Sequence, residues 1–523
     1  MKSVLTVFFF LLVAAIVFVI VSEKGDSGRK IAWLLIITLL PGVGIILYLL
    51  VGFNYRHHWI YRKRYKCYLD FLEANMTPGL RKLLSGDDVK VRDEYRPLVD
   101  MMHNITAMPL TDGNDIEIIT NGHRKFNQLM RDLERAEHSI HVEYFHFGND
   151  SGGKAIRAML MCKAAEGVEV RFINENIANF PIRAGYYNKM KRAGVQVQKF
   201  TNPKNHILNL VTALNYRNHR KIVVIDGKVA YTGGMNANNH YFLTWRDTHM
   251  RITGNAVATL QLIFLSSWFT GRGTISGPLE SYFPQVGLTA AEAAALTLGD
   301  GPVPVADAEI RKLTKGSVGL VPTSDTLSGK TDIDGRHEVL RNKKLQIIPD
   351  ETDGAWPVIQ MSYEWIIQHA RRYIWLQTPY FVPPEPVLNA MKTAALSGVD
   401  VRLMIPQKAD NILMGPANES YYEECLEAGV KIYLRQGDFC HAKTFVSDDY
   451  LSSIGTANMD FRSFELNFED NCYIFDEEAA LVNKAIYEKD LEQCIQLDYE
   501  SWRRRPLRRR FIQSLMQLFA PLL

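Results

Sequence analysis

The sequence predicts an α/β protein made of two duplicated α-β-α halves that share one site, preceded by an N-terminal transmembrane helical hairpin. Three observations predict it. Two long uncharged runs open the chain, a strand–helix–Gly-Val rhythm occurs twice, and one set of polar residues recurs in both halves at fixed spacing. Composition agrees: 523 residues, 47% hydrophobic and 22% charged, give enough apolar mass for several domains and exclude disorder or a fibrous repeat for most of the chain. Lys plus Arg is 60 against 57 for Asp plus Glu, a net charge of +3, which excludes nucleic-acid binding through overall charge. The six cysteines are scattered with no Cys-x-x-Cys pair, as free thiols would be, and neither a disulfide scaffold nor a zinc ribbon is expected.

Residues 1–66 form the expected membrane region. Val4 to Val21 is apolar apart from Thr6, and Ile31 to Tyr55 is a second run without a charge. About twenty apolar residues span a bilayer core, so segments near 4–22 and 31–55 are both candidates to cross. A signal peptide is the alternative for the first, but the run is long and no Ala-x-Ala site follows. Pro41-Gly42 interrupts the second run, which leaves a kinked span or a re-entrant hairpin open. Arg56, Arg62, Lys63, Arg64 and Lys66 follow it with no acid before Asp70, and this positive flank places the remainder on the cytoplasmic side, next to an anionic membrane surface.

A connecting segment, 67–109, leads to the duplication. Ile140 to Phe145 resembles Ile374 to Phe381, and Gly167-Val168 matches Gly398-Val399. Tyr186-Tyr187 with Ala193-Gly194-Val195 matches Tyr421-Tyr422 with Ala428-Gly429-Val430. The order is the same in each case, which is the rhythm of α/β units around a buried sheet. The halves are 110–285 and 341–500. Residues 286–340 read as a linker or insertion. The tail, 501–523, sets Arg503 to Arg505 and Arg508 to Arg510 before Phe511, Ile512, Leu515, Met516, Leu518 and Phe519. It is a basic amphipathic helix, either lying in a membrane interface or docked on the protein's own core.

The chemistry sits after the last Gly-Val unit of each half. His219-x-Lys221 and His441-x-Lys443 put both side chains on one side of a strand, with Asp226 and Asp448 five residues after each Lys. Gly233 and Gly455 lie fourteen residues after the His, Asn236 and Asn458 seventeen, Asp247 and Glu469 twenty-eight. One His-x-Lys is weak evidence, whereas this many positions held in register twice are strong. A neutral imidazole can attack phosphorus, and a second can protonate the leaving alkoxide and deprotonate the next acceptor. Lysine ammonium groups and asparagine amides neutralise phosphoryl oxygens. A carboxylate on the far nitrogen fixes each imidazole's tautomer, the role expected of Asp247 and Glu469. No further His stands at ligand spacing beside either one, and lysine inside the motif opposes a cation, so no metal is expected. His240 and His249 are read as solvated or hydrogen-bonded, and Cys440 as a packing residue.

These paired His-x-Lys-x4-Asp motifs resemble those of the phospholipase D superfamily. The N-terminal runs with Leu40-Pro41-Gly42-Val43-Gly44, Val142 to Phe145, Gly233-Gly234-Met235-Asn236, Trp245-Arg246-Asp247, Asn458 to Ser463 and Asn467-Phe468-Glu469 are similar to bacterial cardiolipin synthases. The resemblance implies phospholipase D-like halves and metal- and cofactor-free transfer of a phosphatidyl group from one phosphatidylglycerol to another, giving cardiolipin and glycerol through a phosphohistidine. Its alternative is a phospholipase D-type hydrolase, or transfer with another donor or acceptor. It implies His219 as nucleophile and His441 as acid/base, with the motif's Lys and Asp residues in the catalytic set, although Asp226 and Asp448 read as structural partners rather than phosphate contacts. Asn236, Asn458 and Thr456 would contact substrate. Gly234 stands where Thr456 has its hydroxyl, which removes that contact from the first side. A bacterial inner-membrane location and phospholipid substrates follow from the same resemblance. A nuclease and an inactive membrane scaffold are the remaining rivals.

Overall fold

The computed structural model describes residues 2–22, 27–52, 59–86, 89–200, 216–271, 273–275, 278–284, 339–351 and 356–519. One fifteen-stranded sheet runs through both halves. The first half supplies β1 (Leu110–Ile119), β2 (Ser139–Tyr144), β3 (Glu169–Asn174), β4 (Gln196–Lys199), β5 (Lys221–Ile225), β6 (Val229–Gly233) and β7 (His249–Thr253). The second supplies β8 (Leu340–Asp350), β9 (Tyr373–Gln377), the short β10 (Phe381–Val382), β11 (Asp400–Pro406), β12 (Lys431–Arg435), β13 (Thr444–Ser447), β14 (Leu451–Gly455), β15 (Met459–Asp460), β16 (Glu469–Phe475) and β17 (Cys494–Gln496). The order is β17-β12-β11-β9-β13-β14-β16-β8-β1-β7-β6-β5-β2-β3-β4, with β10 and β15 pairing apart. Read outward from the central pair β8 and β1, the two sides repeat strand for strand as far as β12 and β4, and β17 is an added edge strand of the second half. That pair is antiparallel, with Leu110 opposite Gln346 and Ile116 opposite Leu340.

In each half two parallel steps join three strands, β2-β3-β4 and β9-β11-β12. Parallel neighbours need crossover helices, and these are Ser151–Ala165 and Ala184–Arg192, then Glu385–Leu396 and Tyr422–Glu427. The glycine of every Gly-Val unit ends one of those helices. Gly167, Gly194, Gly398 and Gly429 have φ of 96°, 97°, 93° and 93°, a left-handed turn that a side chain would disfavour. The repeated dipeptide is thus a helix stop followed by an apolar residue that leads into the next strand, buried at Val168, Val195 and Val430 and half-buried at Val399. The helix Ala256–Thr270 is buried almost throughout against the sheet, and helix Trp59–Asn75 lies on it, with Tyr68 Oη donating to Leu262 O at 2.9 Å and Phe71 packed 4.9 Å from Phe269.

Among the described residues, no helix is long and apolar enough to cross a membrane. The first apolar run is a single helix, Lys2–Ser22. The second is broken into Ser27–Leu39, Pro41–Leu47 and a π-turn, Tyr48–Gly52. Its second piece folds back on the first. Trp33 meets Tyr48 edge-on at 5.5 Å, and a Cβ on Gly44 would lie 2.8 Å from Ile36 O. The chain turns back at Leu40–Pro41, so residues 31–52 do not form one continuous helix. The insertion at 286–338 lies outside the described residues. The tail forms helix Leu507–Phe519, which docks through Gln513 and Met516 and carries its apolar stripe outward.

Candidate active site

His219 and His441 each precede the inner antiparallel strand of their half, β5 and β13. Each strand lies beside the C-terminal end of a parallel strand, with Lys221 opposite Tyr144 and Thr444 opposite Gln377. A short bridge from the other half holds each imidazole's backbone. His219 N–H donates to Phe468 O at 2.9 Å and Phe468 N–H to Arg217 O at 2.8 Å; His441 N–H donates to Arg246 O at 2.7 Å and Arg246 N–H to Phe439 O at 2.9 Å. Phe468 and Arg246 come immediately before Glu469 and Asp247, so the bridges deliver each acid to the opposite imidazole.

The carboxylates are therefore exchanged between halves. His219 Nδ1 lies 2.9 Å from both oxygens of Glu469, and His441 Nδ1 lies 2.8 Å from Oδ2 of Asp247. A carboxylate on Nδ1 puts the proton there and leaves Nε2 with its lone pair free, which suits a nucleophile or a base. Both imidazoles and both acids are buried. Lys221 and Lys443 reach back to the carbonyl oxygens of His219 and His441, each at 2.5 Å, and Lys443 Nζ stands 2.8 Å from His441 Nδ1. Phe145 stands edge-on to His219 at 4.7 Å, while Tyr241 and Trp245 pack on His441 at 5.3 and 5.5 Å.

Electrostatics follows from this burial. Burial first, then the ammonium groups of Lys221 and Lys443, holds both imidazoles well below the usual histidine range. Burial lowers Lys221 to about 7 and Lys443 to about 8, and raises Asp247 to about 6 and Glu469 to about 7. A phosphodiester anion entering here offsets the mutual repulsion of the two lysines and makes it easier for an imidazole to carry a proton.

Three expectations need correction. Asp226 and Asp448 are not beside the imidazoles. They follow β5 and β13, about 16 Å along the strand from the lysines at about 3.3 Å per residue. Each caps a turn. Asp226 accepts from the backbone N–H of Glu137, His138 and Ser139 at 2.7–2.9 Å, and Asp448 from those of Arg371, Arg372 and Tyr373 at 2.7–3.0 Å. Thr456 does not offer its hydroxyl to a ligand: Oγ1 donates to Glu469 Oε2 at 2.6 Å. Gly234, its counterpart, is needed because the shorter Asp247 sits closer to the backbone; a Cβ there would be 2.1 Å from Asp247 Oδ1. The third concerns the asparagines. Asn236 is committed to the protein, accepting from His146 N–H at 3.0 Å and donating to Tyr241 Oη at 2.9 Å, whereas buried Asn458 Oδ1 has no partner among the described residues.

Sequence reasoning missed Phe145, Tyr241, Trp245 and Asn467 as site residues. Asn467 Nδ2 donates to Glu469 Oε1 at 3.1 Å, two positions before it in sequence, a spacing that signals a shared side. Between the halves, Asp490 receives Arg246 through two contacts, at 3.1 and 2.7 Å, together with Arg435 and Gln377. His240 is exposed; His249 is buried, with Nδ1 accepting from Met235 N–H at 3.3 Å. Cys440 is buried beside Gln377, and all six cysteines are free thiols. Among the described residues, no group of three His, Cys, Asp or Glu is placed to hold a metal ion.

Comparison with known proteins gives the same duplication. The family model described as "Cardiolipin synthase, PLD-like domain" matches residues 129–268 and 364–491, one copy per half, and "Phospholipase_D-nuclease N-terminal" matches 10–52. A cardiolipin synthase of Geobacillus sp. (strain WCH70) is 34% identical over 517 residues, covering 98% of this chain and 92% of the relative. The major cardiolipin synthase ClsA of Bacillus subtilis (strain 168) is 33% identical over 529 residues, covering 99% and 98%. The crystal structure of phosphatidylserine synthase from Haemophilus influenzae Rd KW20 shares the fold, with a TM-score of 0.53 at 15% identity over 81% of this chain and 97% of that one. With two copies of the domain model placed over the two exchanged His–acid pairs, and full-length relatives above 30% identity, the chain belongs to the phospholipase D-like cardiolipin synthase family.

Proposed function

We propose that the chain is a phosphatidyltransferase that makes cardiolipin from two phosphatidylglycerol molecules. The observation that carries this reading is the exchanged pair of imidazoles, each held at Nδ1 by a carboxylate of the other half and flanked by a lysine. His219 Nε2 attacks the phosphorus of the first lipid, forming a P–N bond as the bond to the headgroup glycerol breaks. His441 enters this step as the imidazolium, which the bound phosphodiester anion favours, and gives its Nε2 proton to the departing glycerol oxygen, becoming neutral. His441 then takes the proton from a hydroxyl of the second phosphatidylglycerol, whose oxygen attacks phosphorus and breaks the P–N bond. Lys221 and Lys443 balance the negative charge of the phosphoryl oxygens, and Asn458 has hydrogen-bonding capacity left for substrate. Glu469 and Asp247 support the imidazolium form of each partner as it appears. This set needs neither metal nor cofactor.

The same reading puts the enzyme at the bacterial inner membrane, with helices Lys2–Ser22, Ser27–Leu39 and Pro41–Leu47 as its bilayer anchor and both halves on the cytoplasmic side. Leu11, Phe18, Val21, Leu35, Leu39 and Ile46 point outward from these helices, and acyl chains would cover them. The basic stretch Arg56 to Lys66 follows on the cytoplasmic side.

The test is purified enzyme with phosphatidylglycerol in detergent micelles containing EDTA. Glycerol and a four-chain lipid in equal amounts are expected. Phosphatidic acid as sole product would make the protein a hydrolase. Rapid quench with phosphorus-labelled lipid should leave an acid-labile phosphoramidate on His219; label on His441 alone would reverse the two roles.

A further inference from the structure

Two loops at the site end in apolar side chains that nothing among the described residues covers. Phe180 is 84% exposed and Ile412 90%. They occupy equivalent places, in the loops that leave the matching strands β3 and β11. It is not the tip itself but a neighbour in each loop that holds a residue packed near an imidazole. On the first side, Asn179 accepts from Phe147 N–H at 2.9 Å and donates to Phe145 O at 2.8 Å, and Phe145 is the ring against His219. On the second, the ring of Tyr380 lies 6.4 Å from that of His441, and its hydroxyl donates to Asp410 at 2.7 Å, two residues before Ile412. Exposed Arg183 and Lys408 stand near the two tips in sequence.

The C-terminal helix extends the second tip. Arg505 binds Glu423 at 2.7 Å, Arg509 binds Glu419 at 2.7 Å, and Gln513 Nε2 donates to the same Glu419 at 2.6 Å. With Arg510 also on Glu423 at 3.5 Å, four side chains of the tail fasten to Glu419 and Glu423, so the helix packs beside the segment that follows Ile412 and Leu413. Its outer stripe, Leu507, Phe511, Leu515 and Leu518, follows a four-four-three spacing and is exposed. Arg503, Arg504 and Arg508 are exposed beside its start.

We infer that Phe180, Ile412 with Leu413, and the outer stripe of helix Leu507–Phe519 form one face that seats in the interface of an anionic phospholipid leaflet, so that donor and acceptor lipids enter the cleft between the two tips from the same leaflet. The occupant is a membrane because apolar side chains alternate with cations, the pattern that anionic headgroups over acyl chains complement, and because the face borders both imidazoles. The inference rests on the transferase reading for the identity of the lipids, while contact with the leaflet stands on the surface alone.

The test uses the full chain with Cys67→Ser, carrying one added cysteine at Phe180, Ile412 or Leu515, or at Glu137 beside the Asp226 turn as a control. Each is labelled with an environment-sensitive fluorophore and reconstituted in vesicles of phosphatidylcholine with phosphatidylglycerol, against the parent labelled in parallel. Emission from 180, 412 and 515 should shift to the blue and be quenched by lipids with nitroxides on their acyl chains, while 137 does neither. Water-like emission at 180 and 412 would overturn the inference, as would a blue shift in lipid-free detergent that grows with protein concentration, which would mean a second copy covers the face. Phe180→Asp with Ile412→Asp should lower turnover on vesicles about ten- to a hundredfold and leave turnover on monomeric short-chain phosphatidylglycerol unchanged; equal loss on both would refute it. Embedded probes on an enzyme that makes no cardiolipin would sink the transferase reading alone.

Discussion

The motif aspartates offer a sharp test, because sequence places them with the catalytic pair and geometry places them at a turn. Asp226 Oδ1 accepts from the N–H of His138 and Ser139, and Oδ2 from Glu137. Asp226→Asn keeps one oxygen and can hold two of these bonds, while its NH2 faces the third donor. The cost is one charge-assisted hydrogen bond and a buried donor left unpaired, about 2–4 kcal/mol together. Asparagine also suits the backbone here, since Asp226 has φ of 52° and Asn tolerates that region well. Asp226→Ala should cost a further 1–2 kcal/mol, roughly, by losing the remaining acceptor and straining that turn. Asp448, with φ of 51° and the same three-amide pattern, should lose less stability, because the amides of Arg371 and Arg372 are exposed to water. The assay pairs denaturant unfolding with kcat per folded molecule on phosphatidylglycerol micelles. Stability should fall while kcat stays within a fewfold. A loss of kcat above about a hundredfold with stability unchanged, a transition-state cost near 2.7 kcal/mol, would refute a purely structural role.

Three further outcomes follow from the site. His219→Ala and His441→Ala should each abolish transfer by about 10³-fold or more, and the double variant should be no worse than the poorer single, checked by mass spectrometry of cardiolipin formed. Glu469→Gln should lower kcat about 10²–10⁴-fold by removing the support of the imidazolium, with Thr456→Val intermediate between it and wild type; Thr456→Val acting on KM alone would return that hydroxyl to the substrate. The kcat/KM profile should keep its acid limb below pH 6.5, where His219 takes a proton, and should decline on the alkaline side as His441 loses the proton it must donate and as Lys221 and Lys443 lose theirs near 7 and 8. An acid limb centred above pH 6.5 would contradict the buried, lysine-flanked setting.

What the sequence discloses depends on whether an interaction is periodic. The His-x-Lys spacing, the Gly-Val helix stops and the 222-residue offset between the two His motifs are regular, and each maps onto a strand or turn. The partner of each imidazole is not legible that way. Asp247 lies twenty-eight residues after His219, yet it serves His441, because the strands β7 and β16 lie near the centre of the sheet and their leading residues cross to the other half. The paired changes Thr456 with Glu469 and Gly234 with Asp247 look like a lost substrate contact when aligned. They become a matched fit once carboxylate length is set against the space at the backbone. The aromatic walls Tyr241 and Trp245 belong to an irregular turn with no period to read. The fold-back at Pro41 was foreshadowed by its residues but not decided by them, since Trp33 and Tyr48 meet only after the turn is made.

The exchange of carboxylates has a consequence for ancestry and engineering. A solitary half carries an imidazole whose orienting acid lives on another polypeptide segment, so it is chemically mute until two copies clasp. Fusion of such copies tethers the reciprocal gifts within one molecule, and afterwards neither can drift alone: each acid must keep the length that reaches the other half's imidazole, and its own half must fit the backbone beside it to that length.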